Sequence, residues 1–443
     1  MTKRIDKILI TNAIALNGGD AAILHATIDV LKLRFGDDIS VTVHDMAAEA
    51  SGKYYPELKL RRDIYSEATD WTQGRIRPAF SALAILAAAK MHKFPLIKNF
   101  IWRAFPLSLQ NTLSDYEESD LIVSSGGTYL VPHYTLSSKL LDFLVAQAFN
   151  KPLVLFTQSL GPFPPSKWRF ILSHVLRRAA VILVRDERSL LHLKQMDIAP
   201  APARLCADAA FALAPSNLDG RSFSLDTPTL HIAISVREWP HFNSGKTKAG
   251  MERYFSSMAA LTGNLIEQRG AHITFISTCQ GTPEYWADDA RVAAEITRRL
   301  PDALRAHVTI DQDFHCPSSL IEKLKTFDLT IATRFHAAIL SLCAGTPVLP
   351  IAYEFKTSEL FTRLGLGATV VEIEKISPDA VLSAVEIASV HWSEHADKIW
   401  AAVRAEIRSA FDATNQIARA LGLPAKVETF TTSVHENVLQ AGD

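Results

Sequence analysis

The sequence predicts an α/β protein of two Rossmann-like lobes with a helical C-terminal tail. Three observations predict it. Short apolar runs alternate with helix-patterned stretches along most of the 443 residues. These runs are apolar at successive positions rather than at every second one, as parallel strands covered on both faces require. The alternation breaks once, over 212–229, where turn residues replace any periodicity, and then restarts.

In order, residues 7–12 read as a first strand, and 20–35 as a helix with Ile23, Ala26, Thr27, Val30 and Leu31 at helical spacing. Residues 39–44 and 120–125 are strands, the latter ending in Gly126-Gly127. A helix over 136–150 leads to a strand at 152–157, and a helix over 166–180 to a strand at 181–184. Beyond the break, strands are expected at 231–236, 272–277, 308–311, 329–332, 347–351 and 368–373, with helices between them, such as 254–268 and 287–300. The tail from 378 to 423 reads as wholly helical. The expected division is a first lobe over 1–215, a linker over 216–229, a second lobe over 230–376 and a helical segment over 377–443. Two such lobes imply a cleft between them.

Composition narrows the class. A formal net charge of −1 gives no global attraction to nucleic acid. Four scattered cysteines (Cys206, Cys279, Cys316, Cys343) form no Cys-x-x-Cys pair, which argues against a zinc site or disulfide framework and fits a reducing cytosol. No signal peptide or transmembrane run is expected. Residues 72–114 contain no Asp or Glu, yet hold Arg75, Arg77, Lys90, Lys93, Lys98 and Arg103 among apolar residues. That stretch fits a helical excursion packed on the sheet with its cations in water. It also fits peripheral contact with an anionic membrane surface.

Candidate chemistry gathers at strand ends, where open α/β sheets bind ligands. The strand 329–332 ends at Arg334-Phe335-His336, before an apolar helix over 337–343. Arg334 is a permanent forked cation suited to carboxylate or phosphate. His336 exchanges a proton near neutral pH. Arg237 ends the strand 231–236, and Tyr353, Glu354 and Lys356 follow 347–351. In the first lobe, Asn17-Gly18-Gly19-Asp20 turns the first strand into its helix, with Asp20 as the expected N-cap. Gly126 and Gly127 form an expected strand-to-helix turn, and Gln158 is placed to read a hydroxyl. Asp311-x-Asp313 matches a metal-nucleotide triplet, but no second ligand cluster supports it, and no metal is expected.

In this order the motifs resemble the polysaccharide pyruvyl transferase family. The resemblance runs from about residue 12 to 367. It rests on Asn17-Gly18-Gly19-Asp20, Ser125-Gly126-Gly127, Gln158-Ser159-Leu160-Gly161-Pro162, Arg185-Asp186-Glu187, Asp208, Arg237, Arg334-Phe335-His336 and Gly345-Thr346-Pro347 with Tyr353 and Lys356. Phe335 replaces the family's usual Leu, and Thr128 stands where a third Gly is common.

The resemblance implies a fold like that of GT-B glycosyltransferases. It implies transfer of pyruvate from phosphoenolpyruvate to two hydroxyls of a sugar as a cyclic ketal, with release of phosphate and no cofactor. His336, Arg334 and Arg237 are then the expected catalytic residues, with Arg237, Arg334 and Lys356 on the donor. Asn17, Asp20, Gly126, Gly127 and Gln158 are expected on the acceptor, a sugar or oligosaccharide, free or lipid-linked. A cytoplasmic location, at or away from the inner membrane face, is expected. Two alternatives stand beside this one: a nucleotide-sugar glycosyltransferase, with Glu354 reading a ribose, and a non-catalytic glycan-binding protein.

Overall fold

A computed structural model describes residues 4–72, 78–132, 134, 136–198, 203–242, 247–279, 282 and 285–424. They divide into two compact units.

The first unit holds β1 (Lys7–Ala13), β2 (Ser40–Asp45), β3 (Leu60–Arg62), β4 (Leu121–Ser124), β5 (Gly127–Leu130), β6 (Leu153–Leu160), β7 (Val181–Val184) and β8 (Ala203–Leu205). They form one parallel sheet in the order β3-β2-β1-β4-β6-β7-β8, with β5 beside β6. Strands β4, β6 and β7 are buried along their whole length, which is why 121–123, 153–156 and 181–184 read as unbroken apolar runs. A continuous apolar core containing Ile122, Leu155 and Ile182 packs against Leu109, Leu141 and Leu172 from the covering helices.

The second unit holds β9 (His231–Ser235), β10 (His272–Ile276), β11 (Val308–Ile310), β12 (Leu329–Ala332), β13 (Val348–Ala352) and β14 (Val371–Glu372). Their order is β11-β10-β9-β12-β13-β14, all parallel. The sheet is built outward in both directions from β9, so its topological switch point lies between β9 and β12. In the first unit the corresponding point lies between β1 and β4.

The fold class is as expected, and several details differ. The strand expected at 368–373 is only β14, flanked by 3-10 turns at Gly367–Thr369 and Ile373–Lys375. The glycines at 126–127 lead not into a helix but into β5, with Gly127 at φ 150°. The tail is a single 43-residue helix, Pro378–Ala420, which follows a Ser377 side chain accepting from the Ala380 N–H and precedes Gly422 at φ 70°.

The division of the chain also differs from the expected one. The second unit begins at Ala210 and includes the stretch read as a linker. Phe223 and Leu225 are buried, Gly220 lies against the Trp400 ring, and Arg221 donates to the Phe327 carbonyl at 2.7 Å. Turn-rich sequence therefore packs as a strap rather than hanging free. The long helix belongs to the second unit as far as Arg408 and to the first from Ser409. Residues 17–22 group with the second unit, although they follow β1 directly.

Candidate active site

The site is built on the carboxyl ends of β9, β10, β12 and β13 in the second unit. Arg334 caps the helix Phe335–Cys343 with extended backbone, so its side chain leaves the end of β12. Its guanidinium is held by Asp289. Nε donates to both carboxylate oxygens, at 3.0 and 3.1 Å, and Nη2 donates to Oδ1. The Arg334 side chain is 13% exposed and that of Asp289 is 1%. Burial alone would favour loss of the guanidinium proton; the charge of Asp289 outweighs it and raises the pKa above its ordinary value.

Asp289 is itself fastened. It is the first residue of the helix Asp289–Thr297, and its Oδ2 accepts from the backbone N–H of Thr278, at 3.2 Å, and of Cys279, at 3.1 Å. Its own N–H donates to the Cys279 carbonyl. The loop after β10 thus holds the carboxylate, and the carboxylate aims the arginine. Asp289 was missing from the sequence-derived set. Asp288 and Asp289 open a helix and belong to no recognisable motif; in the structure Asp288 caps that helix. Cys279, also at this edge, is buried, and burial pushes its thiol up to about 12, against the lowering effect of Arg334.

Arg237, past the end of β9, stacks over Tyr353 at 4.2 Å and Trp239 at 5.2 Å, and its Nε donates to the Glu238 carbonyl. Buried Tyr254 ties the two arginine-bearing ends together: its hydroxyl bonds to Thr333 Oγ1 at 2.8 Å and to the backbone of Arg237. Lys356 lies 5.5 Å from the Phe335 ring centre, and its Nζ is 2.8 Å from a Glu354 oxygen.

His336, in the first turn after Arg334, sets its ring edge-on to Phe335. Gly19 lies directly against it: a Cβ there would fall 2.3 Å from His336 Nδ1. Gly18 N–H donates to the Thr278 carbonyl at 2.8 Å, and Asn17 Nδ2 donates to the Tyr285 hydroxyl at 3.1 Å. These contacts bring residues 17–22 to Thr278, Tyr285 and His336 of the second unit. Asn17, not Asp20, is the cap: its Oδ1 accepts from the N–H of Gly19 and Asp20. Asp20 sits inside the first turn.

The remaining expected acceptor residues lie in the first unit and have structural work. Gln158 is fully buried in β6, donating to the Ser125 carbonyl at 2.5 Å and the Tyr129 hydroxyl at 2.8 Å. Its amide nitrogen thereby holds the loop after β4, while its Oε1 is buried with no hydrogen-bond partner among the described residues. At Gly126 a Cβ would meet Thr157 Oγ1 at 2.4 Å, so this glycine serves close packing. The unexpected centre of this edge is Arg185, whose buried guanidinium joins Asp208, Ser159 Oγ and Thr128 Oγ1. Asn12, near the end of β1, and Thr157, at a register irregularity inside β6, hold positive φ. The Asp311 carboxylate of the Asp-x-Asp triplet is taken by His315 and Lys323, both at 2.6 Å; they offset the effect of burial and lower it to about 2.

Two doubly wound α/β units make a fold of GT-B type, and the second carries Arg237 and Arg334 at the switch point between β9 and β12. The chain belongs to the polysaccharide pyruvyl transferase family, whose model matches residues 17–354. It is 25% identical over 407 residues to the amylovoran biosynthesis protein AmsJ of Erwinia amylovora, covering 90% of this chain and 95% of that one. Among solved structures it resembles Anabaena HepE in complex with UDP-glucose, with TM-score 0.53, 14% identity and coverage of 94% and 99%. It also resembles S. aureus MnaA with UDP, with TM-score 0.56, 12% identity and coverage of 96% and 99%. At these identities the structural likeness is one of fold.

Proposed function

We propose that the protein transfers pyruvate from phosphoenolpyruvate to a sugar of a cell-surface polysaccharide or its lipid-linked precursor, forming a cyclic ketal. The observation that carries this reading is the pair Arg237 and Arg334 at the ends of adjacent strands β9 and β12, with His336 in the first turn beyond. Phosphoenolpyruvate has two anionic groups, a carboxylate and a phosphate, and two arginines answer them.

Asp289 refines the roles. With Nε and Nη2 of Arg334 engaged, Nη1, which donates to no described residue, is the nitrogen left for the donor. Arg237, stacked on Tyr353, is the stronger handle, and Lys356 adds charge at the end of β13. In the reaction His336 supplies a proton to the methylene carbon, which becomes the methyl group. C2 becomes cation-like and is attacked by one sugar hydroxyl. The bond from C2 to the phosphate oxygen breaks, and the second hydroxyl closes the ring. One hydroxyl proton restores His336 and the other leaves with phosphate, so the step balances without a cofactor. The arginines stabilise the departing phosphate.

The UDP-bound neighbours favour a second reading, a nucleotide-sugar glycosyltransferase. Its ribose-reading residue would be Glu354, whose carboxylate is paired with Lys356. Thermal shift separates the readings: stabilisation by phosphoenolpyruvate and not by UDP-sugars is expected. A glycan-binding protein without catalysis would respond to neither. No described helix is long and apolar enough to cross a membrane. A cytoplasmic site of action fits the free cysteines. The decisive assay follows phosphate release and pyruvyl mass gain on candidate glycans. Full activity in a folded His336→Ala variant overturns the assignment.

A further inference from the structure

We infer that the helical excursion of the first unit is a docking surface for an anionic lipid bilayer. The helix Pro78–Lys90 buries Ile85, Ala88 and Ala89 but turns Phe80 and Leu83 outward. After the turn Met91–Lys93, the helix Pro95–Trp102 buries Trp102, which meets Phe149 edge-on, while Leu96, Ile97 and Phe100 face out. Leu96 is 87% exposed and Phe100 80%, and exposed Leu107 opens the next helix. Single exposed apolar residues are ordinary, but a run of large ones along one excursion marks an interaction surface.

Charge selects the occupant. The sequence holds no Asp or Glu over 72–114, and Lys90, Lys93 and Arg103 are exposed among these apolar residues. Lys98 is set apart, since it pairs with Glu117 at 2.6 Å and lies over the Trp102 ring. A second copy of this chain would set like charges against each other across a two-fold axis. An anionic bilayer accepts the apolar face and the cations together. The helices have 13 and 8 residues, against about 20 needed to span a bilayer, so they would lie in its interface. The surface stands independently of the donor chemistry. Its purpose, delivery to a lipid-linked saccharide, rests on the proposed function.

The test is co-sedimentation of the full chain with phosphatidylcholine vesicles, with and without phosphatidylglycerol. The wild type is expected to bind the anionic vesicles, and added salt to weaken that binding. The double variants L96D/F100D and K93E/R103E are expected to bind about tenfold more weakly, with unchanged melting temperature and an unchanged phosphoenolpyruvate thermal shift. Wild-type protein that ignores both vesicle types, or variants that bind as well as it does, overturn the inference. So does a wild-type dimer in sedimentation velocity that L96D/F100D converts to monomer without any vesicle effect. Vesicle binding without a phosphoenolpyruvate shift would sink the donor reading alone.

Discussion

Asp289 grips Arg334 by two of the guanidinium's three nitrogens, and the loop after β10 grips Asp289 in turn. The arrangement leaves one edge of the arginine for a ligand and removes its freedom to swing. Removing one partner of a buried ion pair costs about 3–5 kcal/mol, because the other charge stays behind. Asp289→Ala is therefore expected to lower the denaturation midpoint clearly. Asp289→Asn keeps the shape but loses the charge and the bidentate grip. A fall in kcat/KM for phosphoenolpyruvate of about a hundredfold is expected, as loss of positioning typically gives. Steady-state kinetics beside denaturant titration check this; wild-type kinetics in a folded Asp289→Asn would remove its positioning role.

Gly19 and His336 meet without room for a methyl group. Gly19→Ala puts a carbon against Nδ1, so the ring must turn. Because Gly19 lies in the first turn of the helix Gly18–Phe35, alanine itself suits the backbone. Activity is expected to fall at least about tenfold, one step of ~1.4 kcal/mol in barrier, with little change in melting temperature. A shifted His336 resonance by NMR would report the cause.

Arg237→Lys retains the charge but loses the flat stack on Tyr353 and Trp239. The expected result is a rise in KM for phosphoenolpyruvate larger than any fall in kcat. Tyr353→Ala should do the same through loss of the stacking partner. Equal kinetics for Arg237→Lys and wild type would show that a point charge suffices.

A buried acid in the first unit governs stability against pH. Burial foremost, then the charge of Asp63, raise Asp142 to about 6, against the Tyr116 hydroxyl bond that lowers it. A raised folded pKa means that the contribution is fully present below the unfolded value of 3.8 and is lost as pH rises through about 6. Asp142→Asn cannot ionise and still accepts from Tyr116. Between pH 4 and 7 the wild type is expected to lose stability relative to Asp142→Asn by on the order of 3 kcal/mol. Parallel urea curves for the two proteins across that range would contradict this.

How much could be read in advance follows from what each feature depends on. Strands β4, β7, β9 and β12 announce themselves because a strand covered on both faces must be apolar throughout. β3, β5 and β8 did not: β3 and β8 are partly exposed and carry Arg61, Arg62 and Arg204, and β5 opens with Gly127 and Thr128, so none is an unbroken apolar run. β14 was overdrawn for the converse reason, since buried 3-10 turns are as apolar as strand. The helix over 378–423 was plain from its period.

The sequence by itself determined the α/β class, the strand ends bearing Arg237, Arg334 and His336, and the basic, acid-free stretch. All of these are local pattern or composition. Only the tertiary structure decided that Asp289 holds Arg334 and that Tyr254 ties β9 to β12. The same holds for Gly19 at His336 and for Gln158, which holds Ser125 and Tyr129 from inside β6. Those facts join residues distant along the chain, such as Asp289 and Arg334, and a one-dimensional pattern has no term for which distant side chain fills the space beside another. Folding supplies that term, because a buried charge or hydrogen-bonding group must find its partner wherever the sheet order places one.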